Sequence, residues 1–212
     1  MHRSHLAIVI PAFNEAATIG AVVKMVSEAG IPVVIDDAST DETSQAATDA
    51  GADVVRHETN RRYDAALSSG FAHVDKCGFH YAITFDADGQ HDAALLSKYK
   101  ELLDAGNFLV AGIRPKSARL AEALFAGSTR LLYGLDDPLC GMKGYDLNVY
   151  RLLGHFDRYG SIGTELALFA VRNGFPFVQV PVPIHERVDA PRGGVGLGLA
   201  AGDGLRGQEQ QE

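Results

Sequence analysis

Apolar positions along this chain follow two different periods, and the two alternate. Short apolar runs at residues 6–10, 32–36, 53–57, 80–85, 107–113 and 176–180 read as buried strands, each bounded by turn residues. Between them lie stretches with helical spacing: 14–29, 41–50, 61–75, 92–104, 117–133 and 163–173. In the first of these Ile19, Val22, Val23 and Val26 form one stripe, and Gly30 is placed to cap it. Thr40 or Asp41 can cap the start of the second and Gly51 its end. In 117–133, Leu120, Ala121, Leu124, Phe125, Leu131 and Leu132 make the helix amphipathic. No repeat of 20 to 50 residues is present. Strand followed by helix, several times over, predicts an α/β domain built on a parallel sheet.

Several strands end in polar clusters. The strand at 80–85 runs into Phe85-Asp86-Ala87-Asp88-Gly89-Gln90-His91-Asp92. Two carboxylates separated by one small residue can turn toward one hard cation, and the Gln90 amide adds a neutral oxygen. Ligands of this kind suit Mg²⁺ or Mn²⁺. Asp-Gly is also ordinary turn chemistry, so the tripeptide alone is equally an acidic turn. A second acidic pair, Asp36-Asp37, ends the strand at 32–36, and the first strand runs into Pro11-Ala12-Phe13-Asn14-Glu15. In open parallel sheets ligands bind outside the carboxyl ends of the strands, so three polar ends in register describe one cleft.

Composition narrows the partners. The chain has 212 residues, 46% hydrophobic and 22% charged, the proportions of one globular domain with a sizeable core. A formal net charge of −8 argues against a nucleic-acid partner, because phosphate backbones require clustered Lys and Arg. Two cysteines, Cys77 and Cys140, make no disulfide framework. The eight histidines show no spacing that resembles a zinc motif. The start Met-His-Arg-Ser-His-Leu-Ala-Ile-Val-Ile is too short for a signal peptide before Pro11, and no apolar run approaches a membrane span. A cytoplasmic location is expected. Residues 1–192 read as one domain, and the Gly-rich 193–212 as a mobile tail.

The motifs together resemble a family. Ile10-Pro-Ala-Phe-Asn-Glu15, Asp36-Asp-Ala-Ser-Thr-Asp41 and Asp86-Ala-Asp-Gly-Gln90 are similar to the donor-site motifs of inverting family 2 glycosyltransferases with the GT-A fold. Asp137-Pro-Leu-Cys-Gly141-Met-Lys143, Glu165 and Val180-Pro-Val-Pro-Ile-His-Glu-Arg187 resemble the polyprenyl- and dolichyl-phosphate sugar transferases. The likeness spans roughly residues 5 to 193, and several motifs in order are far more specific than any one. It implies a mostly parallel central sheet with helices on both faces. It also implies transfer of a sugar from a GDP-mannose- or UDP-glucose-type donor to a polyprenyl phosphate, in cell-envelope glycan synthesis.

By this resemblance Pro11, Phe13 and Glu15 lie along the nucleotide, Ile35 and Asp37 hold the base, and Asp86 and Ala87 touch the donor. Asp86, Asp88 and Gln90 would ligate the metal, whose task is to stabilise the diphosphate leaving group. A lipid phosphate is already ionised, so the attack needs cations rather than a base. Arg114 and Arg187 match phosphate-binding arginines, and Arg130 is a further candidate. A saccharide or small-molecule hydroxyl acceptor would instead need a base, for which Asp137 and Glu165 are the candidates.

Some positions depart from the pattern. Arg62 and Asp64 fall where relatives typically have glycines, Ala38 replaces a usual glycine, and Arg192 stands near a usual lysine. The altered 60–66 loop is the one argument for a catalytically silent partner subunit. Peripheral contact with the inner face of a membrane would come from helix 117–133, unless that helix packs on its own core. A sugar nucleotidyltransferase is disfavoured, because Pro11-Ala-Phe-Asn-Glu15 is not a glycine-rich phosphate loop. A Rossmann dehydrogenase is disfavoured too, since Gly-x-Gly-x-x-Gly is missing there.

Overall fold

The computed structural model describes residues 5–88, 93–115 and 120–183. Seven strands make one sheet in the order β3-β2-β1-β4-β6-β5-β7. The strands are β1 (Leu6–Ala12), β2 (Ile31–Asp36), β3 (Asp53–Arg56), β4 (Tyr81–Thr84), β5 (Leu109–Ile113), β6 (Lys143–Asp146) and β7 (Phe177–Pro181). β6 pairs antiparallel with both β4 and β5, while the remaining pairs are parallel. The helices are α1 (Ile19–Val26), α2 (Thr43–Asp49), α3 (Tyr63–Lys76), α4 (Ala94–Asp104), α5 (Leu120–Tyr133), α6 (Leu147–Leu153) and α7 (Thr164–Arg172).

β1 shows why the sheet is covered on both faces. Its side chains point alternately up and down. Leu6, Ile8 and Ile10 enter a core shared with α1, α2 and α4, while Ala7 and Val9 enter a second core with α3, α6 and α7. A strand buried on both sides cannot alternate apolar with polar, so it reads as an unbroken apolar run. The expected strands and helices are present within a few residues of their sequence positions.

The largest boundary error is in α1, which begins at Ile19 rather than near Asn14. The intervening backbone is bonded elsewhere. Asn14, with φ +53°, donates its N–H to Ser39 Oγ, Glu15 donates to Thr43 Oγ1 at 2.8 Å, and Ala16 donates to Asp41 Oδ2. These bonds tie the end of β1 to the β2–α2 loop. Gly30 is not a cap either. α1 has already ended at Val26, and a Cβ at Gly30 would lie 2.9 Å from the carbonyl oxygen of Leu6. Close packing on β1 is what requires glycine there. Asp41 does meet the start of α2, accepting the Thr43 N–H at 3.1 Å.

Two elements were not visible as periodic pattern. β6 is Lys143-Gly144-Tyr145-Asp146, with a buried lysine and a glycine where an apolar run would be expected. A Cβ on Gly144 would meet Tyr99 at 3.1 Å, so α4 leaves no room for a side chain. α6 carried legible ends: Asp146 caps it by accepting from Asn148 N–H, and left-handed Gly154 closes it. In α5, Leu131 and Leu132 are 86% and 68% exposed, so they are not on a packed face as the amphipathic reading expected. The tail at 193–212 lies outside the described residues.

Ala38, where the family resemblance implies a glycine, takes φ +63°, a conformation that favours glycine. Left-handed backbone costs an L-residue roughly 1–2 kcal/mol. Ala38→Gly should therefore raise stability by about 1 kcal/mol after its own entropy cost, read as a higher denaturation midpoint at unchanged m value.

Candidate active site

The carboxyl ends of β1, β2 and β4 and the start of α3 enclose a cleft of about 640 Å³. Pro11, Phe13 and Glu15 line it from β1, Asp37 from β2, and Asp86, Ala87 and Asp88 from β4. Arg114 closes one side from the end of β5, with Gly141 and Ile162 beside it. Eight expected site residues thus converge on one space. Ile35 is not among the described lining residues; its side chain is fully buried in the core next to α3. Gln90 and Arg187, as well as Arg192, lie outside the described residues.

The two aspartates ending β2 have separate tasks. Asp36 is fully buried. It accepts from Ser39 N–H, from Ser44 Oγ, and from Arg56 Nη1 at 2.8 Å. It holds the loop together. Asp37 lines the cleft, and its Oδ1 contacts His57 Nδ1 at 2.7 Å and accepts the Arg61 N–H at 2.8 Å. His57 Nε2 in turn meets Ser69 Oγ at 2.9 Å, which anchors this carboxylate to α3.

Asp86 is held in the same manner. Tyr63 donates its hydroxyl to Asp86 Oδ1 at 2.6 Å. Burial, with the Asp86 charge adding to it, pushes the Tyr63 phenol well above its ordinary range, so it stays a donor. On the other side Gly141 approaches so closely that a Cβ would lie 3.1 Å from Asp86 Oδ2. Two carboxylates aimed into one cleft, one of them fixed by a neutral donor, fit a hard divalent cation.

The 60–66 loop carries its unusual residues for visible reasons. Asp64 accepts the N–H of Ile162 at 2.7 Å, where Ile162 itself has φ +57°, and so ties the cleft-lining 157–163 loop to α3. Arg62 has φ +71° and ψ 168°, a region close to glycine-only, and it lines the cleft. Sequence reasoning did not single out Tyr63, His57 or Lys143. Only a tyrosine beside the departures at 62 and 64 hinted at the first.

The cationic side is paired as well. Arg114 grips Asp137 with a two-pronged contact, Nε to Oδ2 at 2.8 Å and Nη2 to Oδ1 at 2.9 Å, and its backbone N–H adds a third bond. Burial pushes the Asp137 carboxyl up, but the bonds from Arg114 outweigh it and the net shift is downward. Asp137 is not among the described lining residues. Nor is Glu165, which contacts His155 Nε2 at 2.8 Å and accepts the Arg158 N–H at 2.7 Å. Arg130 points away to Asp136.

Behind this wall sits Lys143, with its ammonium donating to the carbonyls of Cys140 and Ile162, each at 2.7 Å. It joins the 137–141 loop to the 157–163 loop.

A family model for glycosyl transferase family 2 matches residues 7–135. The chain belongs to that family. Polyprenol monophosphomannose synthase of Mycolicibacterium smegmatis is a 31% identical relative, aligned over 85% of this chain and 77% of its own. An uncharacterized protein of Methanocaldococcus jannaschii is 30% identical over 91% and 87%. Among solved structures, glucosyl-3-phosphoglycerate synthase of Mycobacterium tuberculosis, in complex with Mn²⁺, UDP and phosphoglyceric acid, superposes with a TM-score of 0.67. It is 20% identical and covers 90% of this chain and 72% of its own. At that identity the likeness shows the fold, and this glycosyltransferase has the GT-A fold.

Burial lowers the Lys143 pKa from 10.5 to about 8. Between those values the unfolded chain holds more protons than the folded one, so this group's contribution to stability rises as pH rises from about 8 to 10.5. Lys143→Met should flatten that rise. Denaturation midpoints of wild type and variant across pH 7 to 11 check it, and parallel curves would contradict it.

Proposed function

We propose that this family 2 glycosyltransferase moves one sugar from a nucleoside-diphosphate sugar, of the GDP-mannose or UDP-glucose type, to a polyprenyl phosphate. The observation that carries the choice of acceptor is the state of the acids. Asp137 is held as a carboxylate by Arg114, and Glu165 is bonded to the 155–158 turn; neither is among the cleft-lining residues. The acids that do line the cleft, Glu15, Asp37, Asp86 and Asp88, are assigned in this reading to the donor and its metal. A hydroxyl nucleophile needs a base in reach of its proton, whereas an ionised phosphate does not. The kinship with a polyprenol monophosphomannose synthase supports the same acceptor.

In this reading a phosphate oxygen of the acceptor attacks the anomeric carbon as the bond to the diphosphate breaks, and one displacement inverts the centre. Pro11, Phe13 and Glu15 lie along the donor nucleotide. Asp37, fixed by His57, accepts from a base N–H, beside the backbone of Ile35. Asp86 and Asp88, with Gln90, would hold Mg²⁺ or Mn²⁺, which supplies Lewis-acid stabilisation of the departing diphosphate. Ala87 leaves room for the donor between them. Arg114, with Arg187, aligns the incoming phosphate, and Asp137 keeps the Arg114 fork oriented.

The described residues include no helix long and apolar enough to cross a membrane. Contact with the lipid carrying the acceptor would come from α5, where Leu131, Leu132 and Arg130 are exposed. Residues of that kind suit a peripheral face.

Two measurements test the reading. In a thermal-shift assay, nucleotide plus Mn²⁺ should raise the melting temperature of the wild type. Asp88→Ala should lose the Mn²⁺-dependent part with its fold intact. Equal stabilisation in the variant would remove Asp88 from the metal site, and no response to any nucleotide would favour a silent partner subunit.

The acceptor is tested by transfer to polyprenyl phosphate. Arg114→Ala should slow it about 10- to 150-fold, the equivalent of one charged hydrogen bond at roughly 1.5–3 kcal/mol. Glu165→Gln should cost far less. Donor affinity is measured alongside, since Arg114 can also reach the diphosphate. An indispensable Glu165 or Asp137 with an expendable Arg114 would identify a hydroxyl acceptor instead.

A further inference from the structure

At the end of the sheet opposite the cleft, three unlike donors come together. Asp53 opens β3, where it pairs with Val33, three residues before the register reaches Asp36. His73 lies in the last turn of α3, and Cys77 follows it at the helix end, four residues on and on the same face. His73 Nε2 is 2.7 Å from Asp53 Oδ2 and 3.6 Å from Cys77 Sγ. The three ligand atoms all lie within 4.8 Å of one another.

We infer that Asp53, His73 and Cys77 form a second metal site, one that takes Zn²⁺ and is distinct from the donor cleft. The spacing fits the ion. With Zn–N near 2.1 Å, Zn–S near 2.3 Å and tetrahedral angles, an imidazole nitrogen and a thiolate sulfur stand about 3.6 Å apart. That is the separation already present. The same geometry puts a nitrogen and a carboxylate oxygen about 3.4 Å apart, so the His73–Asp53 contact opens by about 0.7 Å as the metal replaces the shared proton. The third pair, the Asp53 oxygen and the Cys77 sulfur, already lies within 4.8 Å, against the roughly 3.6 Å of a tetrahedral site.

The donor chemistry turns the site away from hard cations. One thiolate, one imidazole and one carboxylate are a borderline-soft set that Mg²⁺ does not favour. The site is open to solvent, with Asp53 and Cys77 exposed and His73 half-buried, so the ion can enter and water can fill the fourth position. Binding sends the Cys77 thiol proton, and any imidazolium proton of His73, to the solvent. Spacing among histidines alone could not reveal the site, because it holds a single histidine and draws on two elements.

The physical consequence is a clamp. β3 is the edge strand, half-buried, with β2 as its one neighbour in the sheet. The ion ties its first residue to the end of α3, the helix whose other end carries Tyr63 and Asp64 at the cleft.

Co²⁺ titration of the reduced full-length chain tests this. Wild type and Asp88→Ala should both give a thiolate-to-cobalt charge-transfer band with tetrahedral d–d bands, which Zn²⁺ then bleaches by displacement. Cys77→Ser should lose the charge-transfer band, and His73→Ala should weaken Co²⁺ binding at least tenfold. Zn²⁺ at a hundredfold excess over its Kd should raise the melting temperature of wild type by roughly 5–10 °C, and that of Cys77→Ser far less. No band in wild type, a band that survives Cys77→Ser, or unchanged affinity in His73→Ala would each overturn the assignment.

Discussion

Two adjacent carboxylates buried at the end of β2 are the constraint around which the cleft is built. Asp36 is fully buried and Asp37 nearly so. A buried charge left without partners costs several kcal/mol, so each must be answered by donors fixed in place. Asp36 is answered by the Ser39 amide, Ser44 and Arg56, and this folds the β2–α2 loop back on itself. That loop then supplies Ser39, Asp41 and Thr43 to bond the backbone at 14–16, which delays α1 to Ile19. Asp37 is answered by His57 and the Arg61 amide, which fixes the approach to α3 and the strained turn at Arg62. Satisfying one carboxylate fixes the segment that brings Phe13 and Glu15 to the cleft, and satisfying the other fixes the segment that brings Arg62 and Tyr63.

The part of the fold that rests on continuous apolar runs was legible in the sequence, because burial on both faces leaves no other composition for a strand. β6 was not, since its place in the sheet rests on a buried lysine bonded to two carbonyls and a glycine pressed against Tyr99. Neither has a hydrophobic signature. The cleft was legible to the extent that its side chains sit at strand ends, as Glu15, Asp37, Asp86 and Asp88 do. What escaped were the residues that hold these in position. Tyr63 reaches Asp86 across 23 positions and His57 reaches Asp37 across 20, separations that follow no local period.

The departures from the family pattern are explained by the same contacts. Arg62 and Asp64 stand where the resemblance implies glycine, and at Arg62 the backbone has the conformation that favours glycine, φ +71°. The strain is therefore borne rather than relieved. Asp64 compensates by accepting the amide of Ile162, itself left-handed, across 98 positions. A loop that had lost its role would be expected to shed such strain; this one bonds a second cleft-lining loop instead. These contacts show the unusual residues built into the cleft wall.

The cations divide between two environments, and the division bears on the chemistry. Arg114 is held in place at the cleft edge because Asp137 accepts two prongs of its guanidinium, and those bonds keep the Asp137 carboxyl below its ordinary value in return. Lys143, one loop behind, has no carboxylate among its two hydrogen-bond acceptors, and burial pulls its pKa to about 8. A planar fork with one edge already engaged presents its charge in a fixed direction, whereas a lysine at that edge would swing. Attack by an ionised oxygen needs such a fixed positive guide more than it needs a proton acceptor. In the proposed mechanism, the ion pair that would make Asp137 a poor base is the same one that would make Arg114 a good guide. Under that proposal, an acceptor that arrives already ionised is the partner for which both properties would be useful at once.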